Sequence, residues 1–320
     1  MTAVLIILII LLIVLVVGCV FITNQLMWTK TFPLPKFIGE NVTGNLMPGE
    51  YDKAVENMKK ELDSYLITEE EIYAPDGARL LAHVYENEKN NGKLIIACHG
   101  ARSSGIGEFA FMMPYFKEKG FSVIMPEHRG CGQSDGKFMG YGTHESKDTF
   151  LWVDYAKEHF PDRDIYLLGV SMGAATVLMM SENATDDKIK GIIADCSYTS
   201  AWDEFKYQLK SSFKMPPFPL LHMCDLISRI FAGYSFKDAS PIDSVKKAKK
   251  PILFIHGKAD DFVPFFMMDE LYNACSGEKY CVAVEDAVHA RSYYTNPALY
   301  QNEIERFIER CDFSRSWKLF

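Results

Sequence analysis

No basic residue precedes Lys30, and the whole chain is short of positive charge: 34 Lys and Arg against 42 Asp and Glu give a formal net charge of −8. Without a dense Lys/Arg cluster there is no electrostatic footprint for a nucleic acid, and nucleic acid is excluded as a partner. Nothing suggests disorder either, since 320 residues at 48% hydrophobic and 24% charged are an ordinary globular composition. That composition leaves room for one large core. Cysteine is present without pattern. Cys98, Cys131, Cys196, Cys224, Cys275, Cys281 and Cys311 are an odd set lacking metal-ligand spacing. They read as reduced core thiols rather than a disulfide framework, and no metal is expected.

The N-terminus lacks charge altogether. Ala3 to Ile22 is a twenty-residue stretch of mainly Leu, Ile and Val, long enough to span a bilayer at about 1.5 Å per residue. A cleaved signal peptide would want basic residues before a shorter apolar core, so the expectation is an uncleaved single-pass anchor over residues 1–23. Val16-Val17-Gly18-Cys19 resembles a bacterial lipoprotein processing site that would lipidate Cys19; the missing basic start and the apolar continuation Val20-Phe21-Ile22 count against it. Lys30 and Lys36 follow the span, which by the positive-inside tendency places the remaining domain in the cytoplasm. The triplets beginning at Asn41 and Asn183 match glycosylation sequons, but such matches are frequent by chance.

Residues 24–64 read as a Pro-, Gly- and Asn-rich stalk followed by an amphipathic helix, with Ala54, Met58, Leu62 and Leu66 at helical spacing. A hairpin follows, Glu70–Ala74 and Arg79–Tyr85 around Pro75-Asp76-Gly77. Apolar strands then alternate with helical patterns: Lys93–Cys98, Phe121–Met125, a helix near Thr143–His159, Ile165–Leu168, a helix from Met172, Ile189–Ala194, Pro251–Ile255, Tyr280–Val284 and a helix over Ala298–Arg310. This alternation predicts an α/β fold with a mostly parallel sheet covered on both faces, whose ligands bind beyond the carboxyl ends of the strands. The predicted catalytic domain covers 65–312, with 313–320 as a tail. Residues 198–245 interrupt the alternation as a helical insertion. Its apolar faces (Trp202, Phe205, Leu209 and Phe213, then Met223 to Phe231) suggest a cap over a site, lining an acyl or alkyl pocket.

The stretch most specific for chemistry is Ile165-Tyr166-Leu167-Leu168-Gly169-Val170-Ser171-Met172-Gly173-Ala174, a strand, a sharp turn and a helix start. Glycines two residues either side of Ser171 remove the side chains that such a reversal has no room for, so the stretch reads as a nucleophile elbow. Met172 would offer its N–H to a developing oxyanion. A serine hydroxyl needs a base, oriented in turn by an acid. His289, just after the last strand, is the chosen base. His83, His144, His159 and His222 are not at the carboxyl end of a strand, and His99 and His256 each precede a glycine, where a histidine more often shapes the loop. For the acid, Asp260 follows the strand ending at Ile255; its neighbour Asp261 and the earlier Asp195 stay open. Ser171, Asp260 and His289 fall in the chain order nucleophile, acid, base. In Arg129–Gly136, Arg129 and Asp135 are read as internal hydrogen-bonding groups of a bracing turn. Arg102 is read evenly as a surface charge or a contact for a substrate carboxylate or phosphate.

Five ordered blocks carry a resemblance: His99-Gly100, Glu127 to Gly136, Gly169 to Gly173, His256 to Pro264, and His289-Ala290. Together they resemble the α/β-hydrolase superfamily, and within it the membrane-anchored bacterial hydrolases grouped with the serine aminopeptidase and Bem46-like proteins. The resemblance implies Asp260 as the acid, through its place in Gly257-x-x-Asp260-x-x-Val263-Pro264, and Ala101 with Met172 as oxyanion donors. The implied chemistry is acyl transfer without a cofactor, on an ester, thioester or amide carbonyl; the apolar N-terminal stretch and the apolar insertion favour a small or lipid-derived ester or thioester. A peptidase would want an acid for the substrate amine, such as Glu204 or Asp203, and a silent interaction module would have no need of the three groups.

Overall fold

A computed structural model describes residues 2–29 and 49–316. Most of the expected stalk, with Lys30, Lys36 and Asn41, lies outside these residues, as does the end of the tail. Chain order begins with helix α1 (Thr2–Met27) and α2 (Gly49–Leu62), then strands β1 (Ile67–Tyr73), β2 (Arg79–Tyr85) and β3 (Lys93–Cys98). Helices α3 (Gly105–Phe109) and α4 (Met113–Lys119) lead to β4 (Ser122–Pro126), α5 (Glu145–His159), β5 (Asp164–Val170), α6 (Met172–Met180) and β6 (Ile189–Asp195). Next come α7 (Ala201–Ser211), α8 (Leu220–Phe231), α9 (Pro241–Val245), β7 (Ile252–Gly257) and α10 (Phe266–Ala274). The chain closes with β8 (Lys279–Val284), α11 (Ser292–Thr295) and α12 (Pro297–Ser316).

The strands form an eight-stranded sheet in the order β1-β2-β4-β3-β5-β6-β7-β8. Strand β2 runs antiparallel to both β1 and β4, and all other pairs are parallel. Side chains of a strand alternate between faces, so its continuous apolar runs feed two cores. Leu94, Ile96, Ile124, Ile165, Leu167, Ile192 and Phe254 pack with Trp152 of α5, Val177 and Leu178 of α6 and Leu271 of α10. Their neighbours Ile95, Ala97, Val123, Tyr166, Leu168, Ile193 and Ile255 pack with Phe116 of α4 and Tyr300, Ile304 and Phe307 of α12. A third cluster joins α1, α7 and α8 to Met172 at the start of α6.

Two expectations change, and one helical stretch was not foreseen. Helix α2 stops at Leu62, and Leu66 is exposed beyond it. The stretch between β3 and β4 is helical, although its glycines hid it: Gly105 lies so close to Met125 that an added Cβ would stand 2.9 Å from the Met125 Cβ. The larger correction concerns the anchor and the cytoplasmic placement drawn from it. Among the described residues no helix is long and apolar enough to cross a membrane. The last turns of α1 belong to the domain: Cys19, Thr23, Asn24 and Met27 are buried, and Cys19 lies against Met223 of α8. At the end of the helix, Met139 N–H donates to Met27 O at 2.8 Å and Tyr141 Oη to Leu26 O at 2.7 Å. The earlier turns stand clear, with Leu5, Ile9 and Ile13 exposed. All eight cysteines are free, and of them Cys281 is exposed.

Candidate active site

Four loops meet beyond the carboxyl ends of the parallel strands. Ser171 ends β5 and begins α6, with φ 55° and ψ −117°. A side-chain-bearing residue pays for that conformation with strain, and it holds because the flanking positions are glycine. A methyl group on Gly169 would collide with the Gly173 carbonyl, and one on Gly173 with the Cys98 carbonyl. Helix α6 can therefore start directly against β3 and β5. As its first residue, Met172 carries one of the N–H groups that have no intrahelical partner. The turn after β3 passes beside the serine, since a Cβ on Gly100 would lie 3.4 Å from Ser171 Cβ. That turn carries Ala101, which is exposed, and Arg102 at φ 59°.

The loops after β7 and β8 supply two further groups. Ser171 Oγ lies 2.9 Å from His289 Nε2, and His289 Nδ1 lies 2.8 Å from Asp260 Oδ2. Asp260 Oδ1 accepts the N–H groups of Phe262 at 3.0 Å and Val263 at 2.9 Å. Burial alone would raise the Asp260 carboxyl, but electrostatic interaction with His289 and the hydrogen bonds from His256 and His289 outweigh it and hold its pKa below the usual carboxylate value. An ionised Asp260 can only accept. The proton therefore belongs on His289 Nδ1, which leaves Nε2 to accept from the serine hydroxyl. The structure thus brings together Ser171, His289 and Asp260 from positions far apart in the chain.

The rivals do other things. Asp261 is exposed. Asp195 ends β6, accepts Ser292 Oγ at 2.8 Å and is pushed up to about 6 by burial. His256 lies behind Asp260, with Nε2 2.8 Å from Val263 O and 3.3 Å from Asp260 Oδ2. His99 is a brace: Nδ1 donates to Gly100 O at 2.7 Å and Nε2 accepts His128 N–H at 3.0 Å. Burial drives its pKa down to about 3, so it stays neutral. Arg129 is engaged with Asp148 and Asp76, and Asp135 Oδ2 accepts Arg79 N–H at 3.0 Å. Arg102 is an exposed charge that also holds a neighbouring element. Its guanidinium donates to Gln25 O and, at 3.2 Å, to Trp28 O, gripping the end of α1.

The insertion packs over this site. Phe205 is buried against Tyr141 and Phe236, whereas Phe231, expected to line a pocket, is 59% exposed and lies against Trp28. Sequence reasoning missed a cavity of about 20 Å³ on the far side of the elbow, lined by Tyr51, Glu108, Val170, Asp195, Ala290 and Tyr300 among others. It has room for a single water.

Residues 93–215 match the family model described as the alpha/beta hydrolase fold. The uncharacterized protein YqkD of Bacillus subtilis (strain 168) is 31% identical over 233 residues, covering 72% of this chain and 75% of its own. Protein bem46 of Schizosaccharomyces pombe is 25% identical over 263 residues, 79% of this chain and 76% of its own. Among solved structures, the Pyrococcus furiosus esterase Pf2001 superposes with a TM-score of 0.63 at 22% identity, covering 78% of this chain and 94% of its own. Sheet order, elbow and relatives agree: the chain is a hydrolase of the α/β-hydrolase superfamily and belongs to its Bem46-like group.

Proposed function

We propose that this protein is a serine hydrolase cleaving carboxylic ester or thioester bonds of small or lipophilic acyl substrates. The observation carrying the reading is the unbroken line from Ser171 Oγ through His289 to Asp260, with links of 2.9 and 2.8 Å. In this reading His289 Nε2 takes the proton as Ser171 Oγ attacks the carbonyl carbon. Asp260 holds the ring and stabilises the imidazolium. The N–H groups of Ala101 and Met172 receive the oxyanion. The imidazolium then protonates the leaving alcohol or thiol. Water attacks the acyl-enzyme, with His289 again as base, and releases the acid.

The ester reading is favoured over a peptidase. Glu204, the acid a peptidase would use for the substrate amine, is pushed up to about 8 by burial, and Asp203 is engaged with Ser200 at the start of α7. The apolar side chains of α7 and α8 suit a cap and an acyl chain, and the solved neighbour's description as an esterase fits the same chemistry. The test is turnover of p-nitrophenyl esters of increasing chain length beside the matching p-nitroanilides. Ester turnover with a burst of one p-nitrophenol per chain supports the reading. Anilide turnover at equal or greater rate would replace it with the peptidase, and no turnover of either by the folded protein would leave a silent module.

A further inference from the structure

Beside its apolar side chains, helix α7 brings a carboxamide to the site. Gln208, half-buried, is fixed at both ends. Its Oε1 accepts Ser212 Oγ at 2.8 Å, while Nε2 donates to Glu204 Oε1 at 3.0 Å and also to the carbonyl oxygen of Phe262. Reversing the amide would set its oxygen against the Phe262 carbonyl oxygen, which can only accept, so its surroundings dictate that the donor faces Phe262. Phe262 is itself the residue whose N–H holds Asp260 Oδ1 at 3.0 Å, and its ring packs on that of His289 with centroids 4.9 Å apart. One side chain of the insertion therefore grips the residue that holds the acid and braces the base, and the peptide it grips also gives the Val263 N–H to Asp260 Oδ1 at 2.9 Å.

We infer that Gln208 is a positioning residue, which ties the seating of α7 to the alignment of the Asp260–His289 pair. It touches no reacting atom. It acts by keeping Phe262 from shifting, because a misplacement of about 1 Å around a reacting group costs up to roughly 100-fold in rate. The cap would thus report to the catalytic groups as well as to the acyl chain. This inference rests on the proposed roles of Asp260 and His289.

A double-mutant cycle on the full chain tests it, with kcat and KM for a p-nitrophenyl ester measured for Gln208→Leu, Asp260→Asn and the pair. Gln208→Leu is expected to lower kcat roughly 10-fold with KM little changed, and to cost nothing further once Asp260 is Asn. Gln208→Glu, which keeps the shape and replaces the donor by an oxygen, is expected to do the same; it serves if the Leu variant folds poorly by circular dichroism. Unchanged kcat, a rise in KM alone, or the same loss in both Asp260 backgrounds would overturn the inference. Wild-type kcat in Asp260→Asn alone would instead strike the acid assignment, and with it the premise.

Discussion

At the scale of single residues, the distinctions that matter are between side chains of the same type in different surroundings. Asp260 and Asp195 both follow parallel strands and both are buried, yet one is held below the ordinary carboxylate range by two histidines and the other is pushed up to about 6. Only the first can hold an imidazolium. Asp260→Asn should therefore lower kcat by 10³-fold or more, on the order seen when a triad acid is neutralised, whereas Asp195→Asn should change kcat far less; steady-state kinetics on both variants check this. Glu204 gives a pH prediction of definite sign. Burial raises its pKa from 4.5 to about 8, so between those values the native state keeps a proton that the unfolded chain has lost. Stability then falls as pH rises through that window, by at most about 1.4 kcal/mol per pH unit. Glu204→Gln removes the titration and keeps an acceptor for Gln208. Its advantage in urea midpoint over wild type should grow from pH 5 to pH 8; a constant difference would contradict the assignment. That Ser171 and His289 would come together was legible because each stands at a fixed offset from a strand end or a glycine, whereas Asp260 was separated from Asp261 and Asp195 by the family resemblance rather than by position alone. The grip of Gln208 on Phe262 was not legible, because it joins residues 54 positions apart and depends on how α7 is laid over the sheet.

At the scale of elements, the parallel strands were readable because burial on both faces makes them continuously apolar. Helices α3 and α10 were not singled out in the sequence. The glycines of α3 weaken its helical pattern, and α10 is a short run anchored by Met267, Met268 and Leu271. Sheet order also stayed hidden, since pairing of β2 with β4 rather than β3 is a choice between strands of similar composition. For the insertion, Phe205 and Leu209 are expected to set acyl preference. Replacing either by Ala should move the optimum p-nitrophenyl ester to longer chains with little loss of overall rate, and an unchanged optimum would remove them from the pocket. Helix α1 ends on the turn that carries Ala101, through Arg102. In Arg102→Ala, hydrogen exchange of the amides following Asn24 should quicken while the sheet keeps its protection.

At the scale of the molecule, the parts that the sheet brings together come from both sides of the insertion: the serine before it, the acid and the base after it. Asp260 and His289 follow the paired neighbours β7 and β8, whereas Ser171 follows β5, two strands from β7, so the three groups meet only when β5 to β8 are assembled. The N-terminal helix is integrated at its far end in the same way, with Cys19 and Met27 in the cluster that also holds Met172. The measurement that tests the account most directly is reaction of the full chain with a fluorophosphonate, read by mass spectrometry of the intact protein and its peptides. A single adduct on Ser171, absent in Ser171→Ala and forming far more slowly in His289→Ala, is predicted. An adduct that persists in Ser171→Ala, or none on the folded wild type, would contradict the central claim that this serine is an activated nucleophile.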